Sequence, residues 1–198
     1  MFSGIITQKV KINNIKKIKN SLEMNFDLPS KVFLEEGESV SMNGICSTVV
    51  KYTKNDFLVH YMKETLDKTT ASNWKVGDLI NFEQSLKFND KISGHFVSGH
   101  VDCVGKIVSV ENKGEWKMKI KTDGGSLKYI IYKGSVAING VSLTVSKATN
   151  SYFEVSLIPY TLNYTNLGEL SKGSSVNIET DLLAKYAENL HAKKRKSK

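Results

Sequence analysis

Arginine, cysteine and long apolar runs are all scarce in this chain. Arg195 is the only arginine, although bidentate recognition of phosphates and guanines relies on arginine forks. Cys46 and Cys103 are the only cysteines and carry no CxxC spacing, which is too few for a disulfide framework, argues against a structural zinc site and points to a reducing compartment. No apolar run approaches the roughly 20 residues of a membrane span. The start MFSGIITQKV lacks the basic onset and long apolar stretch of a signal peptide, so a soluble cytoplasmic protein is expected. Glycine-rich phosphate loops, HExxH and a nucleophile elbow are missing too, which argues against nucleotide, zinc-protease or esterase chemistry. His95 and His100, five positions apart, make a poor metal pair on either a strand or a helix.

What is present is globular. Hydrophobic residues make up 40% and charged residues 24% of 198, enough for one large domain or two small ones. The formal charge of +8 suggests nucleic acid at first sight. Five of its cations, however, lie in the last six positions (Lys193, Lys194, Arg195, Lys196, Lys198), and removing those five from +8 leaves +3. The body is mildly basic with scattered lysines, and the tail reads as a solvated, frayed terminus.

An internal repeat dominates the sequence. Ser39 to Val50, SVSMNGICSTVV, aligns without a gap on Ser135 to Ser146, SVAINGVSLTVS, with identities that include Asn43/Asn139, Gly44/Gly140 and Thr48/Thr144. At the same offset Thr65, Leu66 and Thr69 fall on Thr161, Leu162 and Thr165, and Gly77, Asn81 and Glu83 on Gly173, Asn177 and Glu179. Ser3-Gly4 aligns with Ser98-Gly99 after a one-residue slip. The period is too long for a solenoid unit, so each copy is a domain.

Each copy reads as all-β. Asn43-Gly44 and Asn139-Gly140 sit between alternating segments rich in β-branched residues, the mark of a two-residue hairpin. Further short strands are expected over 5–12, 57–61, 78–83, 101–110, 116–121, 153–157 and 175–179. Many short strands in so small a domain favour a closed barrel. Thr180 to Lys194 carries Leu182, Leu183, Tyr186, Ala187 and Leu190 at helical spacing, which predicts a C-terminal helix.

Several of these elements carry groups suited to chemistry. Cys46 and Thr48 share one face of a strand, as Ser142 and Thr144 do in the second copy, and small donors beside a tight turn suit the carbonyl and ring-nitrogen edge of a flat heterocycle. The alternative is that they are tolerated in a barrel wall, which their retention in both halves makes less natural. His100 beside Gly99, in SGHFVSGHVD, suits acid–base work near neutral pH. Asp181, after the strand VNIET, is a candidate charge or a helix cap.

Together MFSGII, the paired SVSMNGICSTV and SVAINGVSLTV, SGHFVSGHVD, MKETL, IPYTL and VNIETDLLAKY resemble the riboflavin synthases of the α-chain type, over essentially residues 1 to 190. The resemblance implies two tandem Greek-key six-stranded β-barrels related by a pseudo-twofold axis and a C-terminal helix through which three chains associate. Residues 1–96 would form the first lumazine-binding barrel, 97–179 the second, and 180–198 the trimerisation helix and tail. The implied reaction is the last step of riboflavin biosynthesis. Two molecules of 6,7-dimethyl-8-ribityllumazine dismutate by four-carbon transfer to riboflavin and 5-amino-6-(ribitylamino)uracil, with neither metal nor redox cofactor.

Carried over by motif, the first pocket would use Gly4, Ile5 and Ile6, then Cys46, Ser47 and Thr48, and His60, Tyr61, Met62, Lys63, Glu64 and Thr65. The second would use Gly99, His100 and Val101, with Lys133, Ser142, Leu143 and Thr144. Ile158, Pro159, Tyr160, Thr161, Leu162 and Asn163 would complete it. The roles we assign as hypotheses are His100 as proton carrier, Ser39 and Cys46 as groups that position or activate the nucleophile, and Asp181 as charge partner or base near the junction. Lumazine synthase is a further partner that the resemblance leaves open.

Two positions depart from the family pattern: Ser93 stands where Gly is usual in Gly-Gly-His, and Ser47 where Leu is usual between Cys and Thr. A non-catalytic lumazine- or flavin-binding protein would share the fold. Such proteins tend to lose reacting groups in one half, whereas Ser39, Cys46, His100, Thr144 and Asp181 are all present here.

Overall fold

The computed structural model describes residues 1–112 and 114–196, and for 192–196 the course of the backbone alone. The reading of the tail as a solvated terminus therefore falls on side chains outside the description.

The first half supplies β1 (Gln8–Ile18), β2 (Ser21–Asp27), β3 (Ser39–Met42), β4 (Ile45–Tyr52), β5 (Asp56–Tyr61) and β6 (Leu79–Gln84), with the short helix α1 (Lys63–Lys68) after β5. The second half repeats them as β7 (Cys103–Asn112), β8 (Trp116–Lys121), β9 (Ser135–Ile138), β10 (Val141–Ala148), β11 (Phe153–Leu157) and β12 (Ser175–Thr180). Helix α2 (Gly124–Leu127) lies between β8 and β9, and α3 (Pro159–Tyr164) follows β11 as α1 follows β5. Each set closes into an antiparallel barrel in the order β1-β2-β5-β4-β3-β6 and its equivalent. The chain passes from β2 to β3 before β5 returns to pair with β2, which is Greek-key topology.

The duplication extends to irregularities. The β1–β2 ladder slips between Ile12 and Asn14 and the β7–β8 ladder between Ile107 and Ser109, while β4 and β10 slip after Val49 and Val145. Such bulges add the local twist that lets short strands close on themselves. The net one-residue change of offset has two parts: the β7–β8 connection is one residue shorter than its counterpart, and the segment between β8 and β9, where α2 stands in place of a loop, is two residues longer.

Strand β1 begins at Gln8, three residues later than expected, because residues 5–7 leave the sheet for the other barrel. The C-terminal helix α4 spans Leu182–Lys196, not 180–194. Its start is displaced because Thr180 is still in β12, where both its N–H and its hydroxyl donate to Asp102 Oδ2 at 2.8 Å.

The two barrels meet along the pseudo-twofold axis. Asn43 and Asn139 hold φ of 48° and 46°, followed by Gly44 and Gly140 at 78° and 77°, as a tight hairpin turn requires. The tips cross so closely that a Cβ on Gly44 would lie 2.6 Å from the Gly140 nitrogen. Asparagines join the halves: Asn81 Nδ2 donates to the Asn139 carbonyl and Asn177 Nδ2 to the Asn43 carbonyl, each at 2.9 Å. The Asn43 and Asn139 side-chain oxygens accept from the Asn81 and Asn177 amides at 2.8 Å. Residues read in sequence as turn formers thus also form a buried, hydrogen-bonded joint.

Candidate active site

The β3–β4 and β9–β10 hairpins turn one face into their own barrel core and the other outward, where Ser41 and Ala137 are covered and Thr48 and Thr144 are exposed. Val40, Met42, Ile45, Ser47 and Val49 point into the first core. Ser39, Ser41, Cys46 and Thr48 share the outer face, Ser39 opposite Thr48 and Ser41 opposite Cys46. In the second barrel Ser135 faces Thr144 and Ala137 faces Ser142 on the equivalent surface. The polar pairs singled out from the repeat therefore lie on barrel exteriors, where a flat ligand can reach them.

What covers these faces corrects the grouping carried over by motif. The Gly99 carbonyl accepts from the Cys46 amide at 2.7 Å, and the Gly4 carbonyl accepts from the Ser142 amide at 2.8 Å. Gly4 to Ile6 thus belong with the second hairpin and Gly99 to Val101 with the first. The side chains agree, since Ile6 is buried in the core of the second barrel and Val101 packs on that of the first. A Cβ on Gly99 would meet Cys46 Cβ at 2.7 Å, and one on Gly4 would meet Ser142 Cβ at 2.7 Å, so the approach needs glycine. Phe2 and Val97, paired backbone to backbone at 2.8 and 3.1 Å, close the crossing.

Two carboxylates hold the exchanged segments. Glu83 Oε1 accepts from the Ser3 amide and hydroxyl at 2.8 Å and its Oε2 from the Gly4 amide at 3.0 Å. Glu179 does the same for Ser98, at 2.7 and 2.6 Å, and for Gly99 at 2.9 Å. Burial pushes both carboxyls above their ordinary range, against the pull of these donors. Neither glutamate figured among the residues expected to matter. The signal was their retention in both halves.

The remaining candidates fall around the same two faces. On the first face β5 runs beside β4 and delivers His60, whose Nε2 lies 2.8 Å from Ser21 Oγ, and exposed Met62 precedes α1. Lys63 pairs with Asp67, and Lys68, 2.8 Å from Glu64, holds the Glu64 carboxyl below its usual range. Thr65 contributes its carbonyl to the Thr69 hydroxyl. On the second, exposed Ile158 precedes α3, Tyr160 stacks on Tyr164 with centroids 4.5 Å apart, and Thr161 accepts from Thr165. Leu162 packs on the core and Asn163 is exposed.

Four expected pocket residues, Ile6, Ser47, Tyr61 and Leu143, turn their side chains into cores and can offer a ligand only backbone. Ser47 Oγ donates to the Ile45 carbonyl at 3.0 Å and pairs with Tyr61 OH at 2.9 Å. Lys133 holds φ of 64°, where the first copy has Gly37 at 87°. A lysine kept in the left-handed region beside a candidate pocket is strain of the kind found at functional positions.

The proposed catalytic residues are arranged unevenly. Ser39 and Cys46 share the outer face of the first hairpin. His100 is exposed, and its ring makes no hydrogen bond among the described residues. Asp181 caps α4, Oδ1 accepting from Leu183 at 2.9 Å, as the helix-cap alternative envisaged. A cleft of about 480 Å³ lies between the barrels, lined by Asn43, Trp74, Asn166 and their neighbours, and holds none of the candidate residues.

Comparison with known proteins matches these features. The family described as lumazine binding domain covers residues 3–85 and again 98–181. Fold and paired faces therefore define the class: two lumazine-binding barrels in tandem. Curated riboflavin synthases are similar over nearly the whole chain. That of Escherichia coli K12 is 41% identical over 91% of this chain and 87% of its own, and that of Actinobacillus pleuropneumoniae 37% over 98% and 91%. The Bacillus subtilis riboflavin synthase is 38% identical over 94% and 87%. The chain belongs to the riboflavin synthase family, and with it to the transferases. Among solved structures, LumP complexed with riboflavin superposes with a TM-score of 0.83 at 26% identity, and LumP complexed with 6,7-dimethyl-8-ribityllumazine with 0.81 at 25%; each covers 91% of this chain and 99% of LumP.

Proposed function

We propose that the two outer-face pockets each hold one 6,7-dimethyl-8-ribityllumazine, and that four-carbon transfer between the two molecules gives riboflavin and 5-amino-6-(ribitylamino)uracil. The observation that carries this reading is the exchange of segments. Each hairpin is covered by the other half's Ser-Gly segment, so the pockets share one frame, while Cys46 stands opposite Ser142 and Ile5 opposite His100 in the repeat. A dismutation needs that combination: one recognition frame for two identical substrates, and unlike groups to make one a donor and the other an acceptor. Proximity of the two rings then replaces much of what a cofactor would supply.

Within this reading His100 carries the proton that leaves and returns at the C7 methyl, and Ser39 with Cys46 positions the nucleophile. Asp181 serves as charge partner with the oxygen not used in capping. One chain leaves the arrangement unfinished. His100 faces outward, and α4 exposes Leu183, Tyr186 and Leu190 in a stripe at helical spacing. We assign that stripe to a homotrimer in which the first barrel of one chain faces the second barrel of another. The domains on this reading are 1–96, 97–179 and 180–198. The cytoplasm is the compartment in which such an enzyme would act. Among the described residues no helix is long and apolar enough to cross a membrane. Docking to lumazine synthase belongs to the same proposal as a separate question of assembly.

The test is direct. Pure protein mixed with the lumazine should release riboflavin, followed by its fluorescence. Stable binding without product would instead favour a non-catalytic ligand carrier, the role that the fold shared with LumP permits.

A further inference from the structure

His95 lies in the segment that joins the barrels and reaches the second pocket from outside either one. Its amide donates to the Ser3 carbonyl at 3.2 Å, and its Nδ1 lies 2.7 Å from Ser142 Oγ. The preceding Gly94 makes the approach possible, because a Cβ there would meet the Ser3 carbonyl oxygen at 2.1 Å and Ser142 Oγ at 2.8 Å. The other ring nitrogen, Nε2, is buried without a partner. In the first pocket the matching group is the Cys46 thiol, which makes no hydrogen bond among the described residues.

The protonation of the ring follows from this geometry. Loss of solvent lowers the His95 pKa, opposed by the Asp181 charge, so the ring is neutral and carries one N–H. Among backbone groups a buried N–H without an acceptor is rarer than an acceptor without a donor, and a ring N–H stranded in the same way meets the same desolvation cost. The proton therefore sits on Nδ1 and is given to Ser142 Oγ, which leaves Nε2 as the empty acceptor. A serine hydroxyl that accepts on that side must send its own proton elsewhere, and Ser142 is half-buried on the outer face of the second hairpin, where the candidate pocket lies.

We propose that His95 is a positioning residue of the second pocket: by donating to Ser142 Oγ it fixes that hydroxyl as a hydrogen-bond donor toward a carbonyl or ring nitrogen of the bound heterocycle. Without it the hydroxyl is a free rotor that can donate or accept. Cys46 has no such constraint, so the same ligand is gripped differently in the two pockets. The inference rests on the pocket assignment above and adds which pocket orients its ring by a locked donor.

Four proteins, wild type, H95L, H95N and S142A, together with the H95L/S142A double variant, decide it. H95L keeps bulk and removes the donor, whereas Asn at 95 can place an N–H where Nδ1–H stands. Turnover of the lumazine and fluorescence titration with riboflavin are read alongside thermal midpoints. H95L should lose about 10- to 100-fold in kcat and weaken one class of bound ligand only. H95N should recover to within about threefold of wild type, and the double variant should be no worse than S142A alone. Full activity in H95L, a double variant that multiplies the two losses, or an H95N that melts like wild type yet performs like H95L would each overturn the proposal. A wild type that binds but does not turn over would sink the reaction and not this inference, because the titration still reports whether one pocket depends on His95.

Discussion

Ser47 departs from the family pattern without disturbing the fold because the side chain it meets in the core, Tyr61, bonds it. In the second barrel the corresponding inward positions are Leu143 and Leu157, an apolar pair in the core. In the first they are Ser47 and Tyr61, and the larger ring is matched by the smaller partner, with the two hydroxyls bonded at 2.9 Å. Burial pushes the Tyr61 hydroxyl far above its ordinary pKa, so it stays neutral and functions only as a hydrogen-bonding group. Ser47→Ala should cost about 1–3 kcal/mol, because it strands a buried hydroxyl, and S47A/Y61F should recover much of that loss. Urea unfolding at matched protein concentration measures both, and strictly additive losses would show that the pair is not coupled. Lys133 makes the opposite case, a residue that costs stability where it stands. Lys133→Gly should leave the protein as stable or up to about 1 kcal/mol more so, since glycine adopts its φ freely. It should also weaken ligand binding in the second pocket. A variant that is both destabilised and fully active would refute the functional reading of that strain.

At the scale of elements, the hairpins were legible because Asn-Gly between alternating segments encodes a turn locally, and the C-terminal helix because its apolar spacing runs for three turns. Strand β2 was not, although Leu22, Met24 and Phe26 alternate inward with Glu23, Asn25 and Asp27, because residues poor in strand propensity fill its outer face and mask the period. The six-residue helices α1 and α3 are too short to show a period. The exchange of Gly4–Ile6 and Gly99–Val101 between barrels could not be read at all, because a contact across about 140 or 50 residues leaves no local pattern. What could be read were its clamps, Glu83 and Glu179, conspicuous as acidic residues repeated in strands. Their raised pKa values set a pH dependence with a definite sign. The folded state holds the proton more tightly than the unfolded chain, so their contribution is fully present below the ordinary glutamate value of 4.5 and is lost as pH rises through the raised folded value. Glu83→Gln and Glu179→Gln remove that term. The thermal midpoint of wild type relative to either variant should therefore decline from pH 4.5 toward neutrality; a constant difference would mean that the clamps do not titrate in this range.

At the scale of the whole molecule, each proposed pocket draws on both halves, and the asparagine joint ties the two barrels together. A substitution on one outer face should therefore damage one pocket and leave the other intact. Thr48 and Thr144 are exposed at equivalent places, so Thr48→Trp should block the first pocket and Thr144→Trp the second without touching a core. If both substrates had to bind within one chain, a mixture of the two variants would be as inactive as either alone. If the first pocket of one chain works against the second pocket of its neighbour, subunit exchange creates sites in which both are intact. Random mixing in equal amounts should then restore up to about a quarter of the wild-type rate. Combining the mixture with Leu183→Ser, Tyr186→Ser and Leu190→Ser in both chains separates assembly from folding. Loss of the apolar stripe on α4 should abolish the recovery and shift the mass measured by light scattering to that of single chains, while the barrels melt as before. A mixture that stays inactive although light scattering shows mixed assemblies of the two variants would place both pockets of the reaction in one molecule and remove the trimer from catalysis.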